Sequence, residues 1–223
     1  MLELDQFLLQ YNKNIEMGTP YFECGLHVNI QTVVDTLKQN KRILKELQSN
    51  VTSILSINCG TADCEQFFVE ALFPNVKDVH HTDIEIRDEV KKKNNPHGVI
   101  EMDAKTALIE YKDKCDLVLC FFPYFKAVGY KGIIKNYFKG KYFIFYGEFD
   151  DYGHCDPEDE FIFSLRKNLN MIACHQVISS LFIGLIEYIV VFRKYNTIKK
   201  LKLRKKKRKI STEKIASSKK RKI

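Results

Sequence analysis

The sequence predicts an α/β fold in which a mostly parallel, seven-stranded sheet ends in an antiparallel hairpin. Short apolar runs alternate with helix-like segments from residue 53 to about residue 168, which is the pattern that a parallel sheet covered on both faces requires. Two β-rich runs follow, Met171–Ser179 and Leu181–Phe192, with too few residues between them for a crossover helix. We therefore expect these two runs to pair antiparallel.

The alternating region supplies five strands and the helices that connect them. The strands are predicted at Ser53–Ile57, Asp78–Thr82, Val99–Met102, Cys115–Cys120 and Lys141–Tyr146. The helices are predicted at Cys64–Phe73, Ile84–Lys93, Lys105–Tyr111 and Ile133–Phe138. A last helix is expected after Asp156-Pro157, because an acidic cap followed by proline is typical of a helix start, and it should reach about Asn168.

Three regions are expected along the chain. Residues 1–52 should form a helical cap, with a short amphipathic helix at Leu2–Tyr11. A second helix is predicted to be capped by Asn29, since apolar residues from Ile30 to Leu47 then share one face. Residues 53–198 should form the α/β domain, and residues 199–223 a basic tail without stable structure of its own.

The net charge of +8 is concentrated in this tail. Fourteen of the 36 basic residues but only one of the 28 acidic residues lie in positions 199–223, so the rest of the chain has a net charge of −5. A nucleic-acid interaction would therefore depend on the tail or on a local patch, and not on the overall charge.

The sequence also disfavours secretion and a membrane span. The start, MLELDQFLLQ, has two acids and no basic segment, unlike a signal peptide. The seven cysteines include no C-x-x-C pair and are expected to be reduced thiols. The apolar stretch Met171–Phe192 is interrupted by His175, Gln176, two serines and Glu187, so no membrane contact is expected, with an anchor as the minor alternative.

The turn after the first strand begins an ordered set of motifs with a functional implication. Ile54–Asp63 reads ILSINCGTAD, and it resembles the V-L-D-[IL]-G-C-G-T-G motif of the class I S-adenosylmethionine-dependent methyltransferases. Asp83 ends the second strand, 23 residues after Gly60, and Met102-Asp103-Ala104 follows the third. The resemblance covers roughly residues 53–194 and implies a Rossmann-like fold with S-adenosylmethionine as cofactor and no metal.

The resemblance also implies roles for particular residues. Asp83 would accept hydrogen bonds from the ribose hydroxyls, and Asp103 with Ala104 would contact the adenine. Ser56, Asn58 and Gly60 would lie along the rest of the cofactor. Phe121-Phe122-Pro123-Tyr124 would line the acceptor side, with Tyr124 as the candidate catalytic residue.

Several departures from the family pattern leave a second interpretation open. Ser56 stands where the family often has an acid, Asn58 and Ala62 replace glycines, and Phe121 offers no hydrogen-bond acceptor where amine-directed enzymes have one. The alternative is therefore a catalytically inactive, methyltransferase-like binding or regulatory protein. A dinucleotide-binding dehydrogenase fits less well, because its G-x-G-x-x-G pattern would have only Gly60 in place.

The basic tail predicts nuclear localisation. Two basic clusters, separated by nine residues, resemble a bipartite nuclear localisation signal recognised by an import receptor. They consist of Arg204, Lys205, Lys206, Lys207, Arg208 and Lys209, and of Lys219, Lys220, Arg221 and Lys222. The same residues could bind nucleic acid without sequence specificity. The leading hypothesis is thus a nuclear methyltransferase of unknown acceptor, which could also shuttle to the cytoplasm.

Overall fold

The computed structural model describes residues 22–86, 88–92, 94–121, 132–148, 159–178 and 186–195. The predicted helix at Leu2–Tyr11, the acceptor-side residues Phe122, Pro123 and Tyr124, and the basic tail lie outside these described residues.

Within the described ranges, strands and helices alternate as the sequence predicted. The strands are β1 Ser53–Ile57, β2 Asp78–Asp83, β3 Ile100–Glu101, β4 Leu117–Phe121, β5 Tyr142–Glu148, β6 Leu169–Ile178 and β7 Ile186–Lys194. The helices are α1 Phe22–Gln39, α2 Lys41–Asn50, α3 Asp63–Leu72, α4 Asp88–Lys92, α5 Ala104–Glu110, α6 Ile133–Tyr137 and α7 Asp159–Asn168.

The seven strands form one sheet in the order β3-β2-β1-β4-β5-β7-β6. The pairs among β1 to β5 are all parallel. Strand β7 pairs antiparallel with both β5 and β6. The fold class predicted from the sequence is confirmed, and the terminal hairpin is joined to the sheet through its second strand.

The central strands β1 and β4 are buried along their whole length, because helices cover both faces of the sheet. Alternate residues of each strand belong to two separate apolar clusters. One face of β1 presents Ile54 to the cluster that contains α1, α2 and α3. The opposite face presents Leu55 and Ile57 to the cluster that contains α5 and α6. This alternation follows from the two-residue period of a strand.

The N-terminal helices pack on the same face of the sheet as α3. Apolar residues of α1 and α2, among them Val33, Leu37 and Leu47, are buried in that shared cluster. The helical conformation is interrupted at Asn40, between α1 and α2. The Asn40 side chain accepts a hydrogen bond from the Ile43 backbone N–H and so caps α2. The prediction that Asn29 caps the second predicted helix is wrong: the helix begins at Phe22, so Asn29 lies inside α1.

The most apolar stretch of the chain forms much of the two antiparallel strands β6 and β7. Their pairing is interrupted by an irregularity between Met171 and Ala173. In the described residues, none of the helices combines the length and the apolar character that crossing a bilayer demands.

Candidate functional site

The candidate site lies at the edge of the sheet where the parallel strands end. Strand β1 pairs with β2 on one side and with β4 on the other. From β1 the chain first builds the sheet outward through β2 and β3, and it then returns to add β4 and β5 on the opposite side. Ligands of open α/β sheets bind at the carboxyl ends of the strands beside such a reversal. The turn 58–62, the end of β2 and the end of β4 all meet at this edge.

The turn after β1 is held in an unusual backbone conformation. Asn58, Gly60 and Ala62 have φ values of 55°, 58° and 64°, a left-handed region that costs most residues about 1–2 kcal/mol. Two hydrogen bonds close the turn, from Cys59 N–H to the Thr82 carbonyl (3.2 Å) and from Ala62 N–H to the Cys59 carbonyl (2.8 Å). The turn therefore keeps a glycine-type conformation although it holds one glycine.

Ala62 shows how the missing last glycine is accommodated. Its methyl group is fully buried and packs in a small cluster with Cys59 and Val99. The Cβ is thus directed into protein contacts on the β3 side of the turn. The helix α3 begins directly after it, with Gln66 N–H bonded to the Ala62 carbonyl (2.9 Å).

Asp83 joins the end of β2 to this turn. Its Oδ2 accepts a hydrogen bond from the Gly60 backbone N–H at 2.7 Å, and its Oδ1 accepts from the Glu85 N–H at 3.3 Å. Because each carboxylate oxygen has two lone pairs, acceptor capacity remains on both oxygens. The next residue, Ile84, is 58% exposed, so apolar surface lies beside the carboxylate.

Ser56 is fully buried and turned away from solvent. Its hydroxyl lies 3.2 Å from His81 Nδ1, and the other ring nitrogen of His81 lies 3.1 Å from Gln66 Oε1 on α3. Burial, with smaller effects of His97 and His80, lowers the pKa of His81 to about 4. Ser56 therefore belongs to a neutral, buried polar chain that links β1, β2 and α3.

A second histidine, which the sequence pattern did not single out, ties the segment before β3 to the start of α3. His97 Nε2 lies 2.8 Å from Asp63 Oδ1, and its ring centroid lies 6.5 Å from that of His81. A solitary histidine in a loop carries no pattern that would have marked it in the sequence.

Asp103 forms the N-cap of α5. Its Oδ1 accepts from the backbone N–H groups of Lys105 (3.0 Å) and Thr106 (3.1 Å), and its Oδ2 accepts from the Thr106 hydroxyl (2.6 Å). The Thr106 hydroxyl bond is the main cause that lowers the pKa of Asp103, and the backbone bonds add to it. Ala104 follows as a buried first residue of the helix. Their contact with an adenine stays a prediction.

Phe121, the first of the four residues expected on the acceptor side, is packed in the core. It is 4% exposed and makes edge-on ring contacts with Phe68 (5.1 Å between centroids) and Tyr146 (5.7 Å). The other three residues, Phe122, Pro123 and Tyr124, lie outside the described residues, so their acceptor-side and catalytic roles stay predictions.

A carboxyl group that the sequence did not single out lies buried in the first turn of α3. Glu65 is 2% exposed, and burial is the main cause that raises its pKa to about 8, with further increases from Asp83 and Asp63. The negative charge of Glu65 in turn contributes to the raised pKa of Cys120 on β4, where burial is the larger cause. Glu65 therefore interacts electrostatically with Asp83 on β2 and with Cys120 on β4.

A second buried acid lies farther along the sheet. Glu187 of β7 accepts a hydrogen bond from the Tyr146 hydroxyl of β5 at 2.5 Å. Burial and the nearby Glu187 raise the pKa of Tyr146. The pair is a buried polar contact between β5 and β7, and the Tyr146 ring lies against Phe121.

Three of the described thiols are poor nucleophiles. Burial is the main cause that raises the pKa values of Cys64, Cys115 and Cys120, so these thiols stay protonated at neutral pH. Among the residues that the structure describes, no group of three or more His, Cys, Asp or Glu side chains could hold a metal ion.

No protein-family model and no curated protein sequence matches this chain. Solved structures do match. The magnesium protoporphyrin IX methyltransferase of Synechocystis with bound S-adenosylmethionine aligns with a TM-score of 0.50 at 13% identity, over 76% of this chain and 82% of that chain. The Burkholderia thailandensis 1,6-didemethyltoxoflavin-N1-methyltransferase, with S-adenosylhomocysteine, has a TM-score of 0.49 at 15% identity, over 85% and 86% of the two chains.

The N-methyltransferase NodS of Bradyrhizobium japonicum, also with S-adenosylhomocysteine, has a TM-score of 0.48 at 15% identity, over 71% of this chain and 87% of that chain. The strand order and the match to the Synechocystis structure agree with the resemblance seen in the sequence motifs. This chain has the fold of the class I S-adenosylmethionine-dependent methyltransferases, at a sequence identity of 13% to the Synechocystis structure.

Proposed function

We propose that this protein is an S-adenosylmethionine-dependent methyltransferase that works in the nucleus on an acceptor still to be identified. The observation that carries the proposal is the hydrogen bond from the Gly60 N–H to Asp83 Oδ2. It fixes an acid of β2 against the left-handed turn of β1, at the edge of the sheet where a nucleotide-like ligand binds.

The residues present at this edge fit such a cofactor. Asp83 retains lone pairs that can accept hydrogen bonds from two ribose hydroxyls while it holds the turn. The exposed apolar surface of Ile84 lies next to it, where a flat adenine ring could pack. Asn58 and Ala62 already adopt the backbone conformation that glycines would otherwise supply, so neither replacement prevents the turn from forming.

S-adenosylmethionine, when bound, supplies a methyl group that is already activated on a sulfonium sulfur. The chain therefore has to bind, to orient and to exclude water, and it does not have to provide a strong nucleophile. Two groups of residues divide this work in the proposal. Asp83 and the turn position the adenosyl end, whereas the segment after Phe121, with Tyr124, receives the acceptor.

Isothermal titration calorimetry with S-adenosylmethionine and with S-adenosylhomocysteine tests the proposal. The intact chain should bind both ligands saturably. Asp83→Asn keeps an oxygen for the Gly60 N–H but removes the negative charge, so we expect affinity to fall roughly 10- to 100-fold, the value of a charged hydrogen bond. Asp83→Ala should weaken binding further, because the turn loses its partner.

Asp78→Ala is the matched control. Asp78 lies at the opposite end of the same strand, where its carboxylate contacts His80 at 2.8 Å. Its removal should leave ligand affinity unchanged. Absence of binding to the folded intact chain at millimolar ligand, or equal losses in the Asp78 and Asp83 variants, would rule the proposal out.

A catalytically inactive binding protein is the second candidate. Ser56 favours it, because its buried hydroxyl is occupied by His81 and offers no charge to a cofactor. An inactive protein would keep its fold and its partners in Asp83→Asn and would show no heat with either ligand. The calorimetric experiment therefore separates a protein that holds the cofactor from one that has lost it.

The nuclear location rests on the tail. The two basic clusters at 204–209 and 219–222 fit an import receptor, and the same charge would bind nucleic acid weakly. A fluorescent fusion of the full chain should accumulate in nuclei, and replacement of both clusters by glutamine should return it to an even distribution. Replacement of Lys112 and Lys114, which lie in the α/β domain, is the control.

A further inference from the structure

The proposed cofactor has a cationic end for which β1 provides no counter-charge. The methionine part of S-adenosylmethionine carries an α-ammonium group. The family that the sequence resembles often has an acid at the position of Ser56. Here the Ser56 hydroxyl is engaged with His81 in the interior. A buried ammonium group needs a counter-charge or hydrogen-bond acceptors, so a neighbouring acid is a candidate for this role.

Glu65 lies on the same side of the sheet as Ser56. Ser56 faces α3, because the histidine that it contacts reaches Gln66 on that helix. Glu65 directly precedes Gln66, in the first turn of α3 and three residues after the end of the 58–62 turn. Asp83 at the end of β2 and Asp63 at the start of α3 both raise the pKa of Glu65, which is consistent with a carboxyl group near the 58–62 turn.

Among the described residues, no side chain forms a hydrogen bond or an ion pair with the buried carboxyl group of Glu65. In the part of the chain that the structure describes, its own backbone N–H is the only hydrogen-bond donor near it, and no cationic side chain pairs with it. The charged groups that act on it are the acids Asp83 and Asp63. Buried acids are normally paired, so a buried acid with no cation or side-chain donor beside it is a candidate for binding a positively charged ligand.

We propose that Glu65 is the carboxylate that binds the α-ammonium group of S-adenosylmethionine, in place of the acid that β1 lacks. This inference rests on the proposed function and names the residue that selects the amino-acid end of the cofactor. In this proposal the acid lies in the first turn of the helix that follows β1 and not in the strand itself, while Asp83 remains with the ribose.

The proton balance follows from the burial of the group. Without ligand, Glu65 is mostly protonated at neutral pH, since burial raises its pKa to about 8. An ammonium group beside it favours the ionised form. Binding then transfers the Glu65 proton to the buffer, and the ligand keeps its own ammonium protons.

The test compares S-adenosylhomocysteine with an analogue in which the α-amino group is replaced by hydrogen. The intact chain should prefer the amino ligand roughly tenfold or more. Glu65→Gln, which matches the neutral acid in shape, should lose this preference and bind the analogue as the intact chain does. Glu70→Gln, an exposed acid on the same helix that accepts from Gln66 at 2.7 Å, should keep it.

A second measurement uses only the intact chain, so it tests the proposal even if Glu65→Gln does not fold. Calorimetry of the intact chain at pH 7 in buffers of different ionisation enthalpy should show release of close to one proton with S-adenosylhomocysteine and none with the analogue. If S-adenosylhomocysteine binds but the preference survives in Glu65→Gln, or if no proton is released, Glu65 does not hold the ammonium and the proposed function stands. If the intact chain binds neither ligand, both proposals fall.

Discussion

The buried acid of α3 predicts an unusual pH dependence of stability that needs no ligand to observe. Folded Glu65 keeps its proton up to a pH of about 8, whereas in the unfolded chain it ionises near its ordinary value of 4.5. Between these two pH values the folded state holds more protons than the unfolded state. Stability from this group is therefore complete below pH 4.5 and is lost as the pH rises through 8.

The magnitude follows from the two pKa values. One pKa unit corresponds to about 1.4 kcal/mol, so full ionisation of folded Glu65 removes on the order of 5 kcal/mol, as an upper bound. Glu65→Gln abolishes the titration and leaves a neutral group of the same shape. The variant should match the parent near pH 5 and exceed it by several kcal/mol near pH 9.

The assay is urea unfolding followed by far-ultraviolet circular dichroism at both pH values, since the chain has no tryptophan to report by fluorescence. The difference between variant and parent isolates Glu65 from other titrating groups. Glu70→Gln on the exposed face of the same helix should show no pH-dependent difference. A Glu65→Gln advantage that is the same at both pH values, or that decreases as pH rises, would refute the assignment of a protonated buried acid.

Three further outcomes are expected. The pKa of His81 is lowered from 6.5 to about 4, so the free energy of unfolding should decrease as the pH falls from 6.5 to 4. His81→Asn should make this decrease smaller in urea unfolding measured across that pH range. Asn58→Ala should cost about 1 kcal/mol in urea unfolding because of its positive φ, while Asn58→Gly should be close to neutral. Phe121→Ala should cost about 3–5 kcal/mol, as its ring packs against Phe68 and Tyr146; a loss under 1 kcal/mol would show that the ring is not a core residue.

The order of strands and helices could be predicted because each depends on neighbours along the chain. The predicted first strand coincides with β1, and the prediction for the fifth, Lys141–Tyr146, overlaps β5 at Tyr142–Glu148. Glycine and asparagine turns, apolar runs and caps act within a few residues, so a sequence displays them. The break of the N-terminal helix at Asn40 was missed, because the apolar face continues across it and hides the new cap.

The candidate site was predictable only in part. Gly60 and Asp83 were predicted, and the structure joins them by a direct hydrogen bond. Ser56 and Phe121 were predicted at the ligand, but both side chains are buried in contacts with other elements. Burial of a side chain depends on which elements cover it, and that information is not local.

By itself, the sequence determined the alternation of strands and helices, the basic tail and the position of the turn after β1, since each is written in consecutive residues. Only the tertiary structure decided that β7 lies between β5 and β6, that Ser56 contacts a histidine 25 positions away, and that the carboxyl group of Glu65 is buried. These properties come from contacts between segments remote in the chain. Desolvation, which gives Glu65 its altered pKa, exists only once those segments have packed.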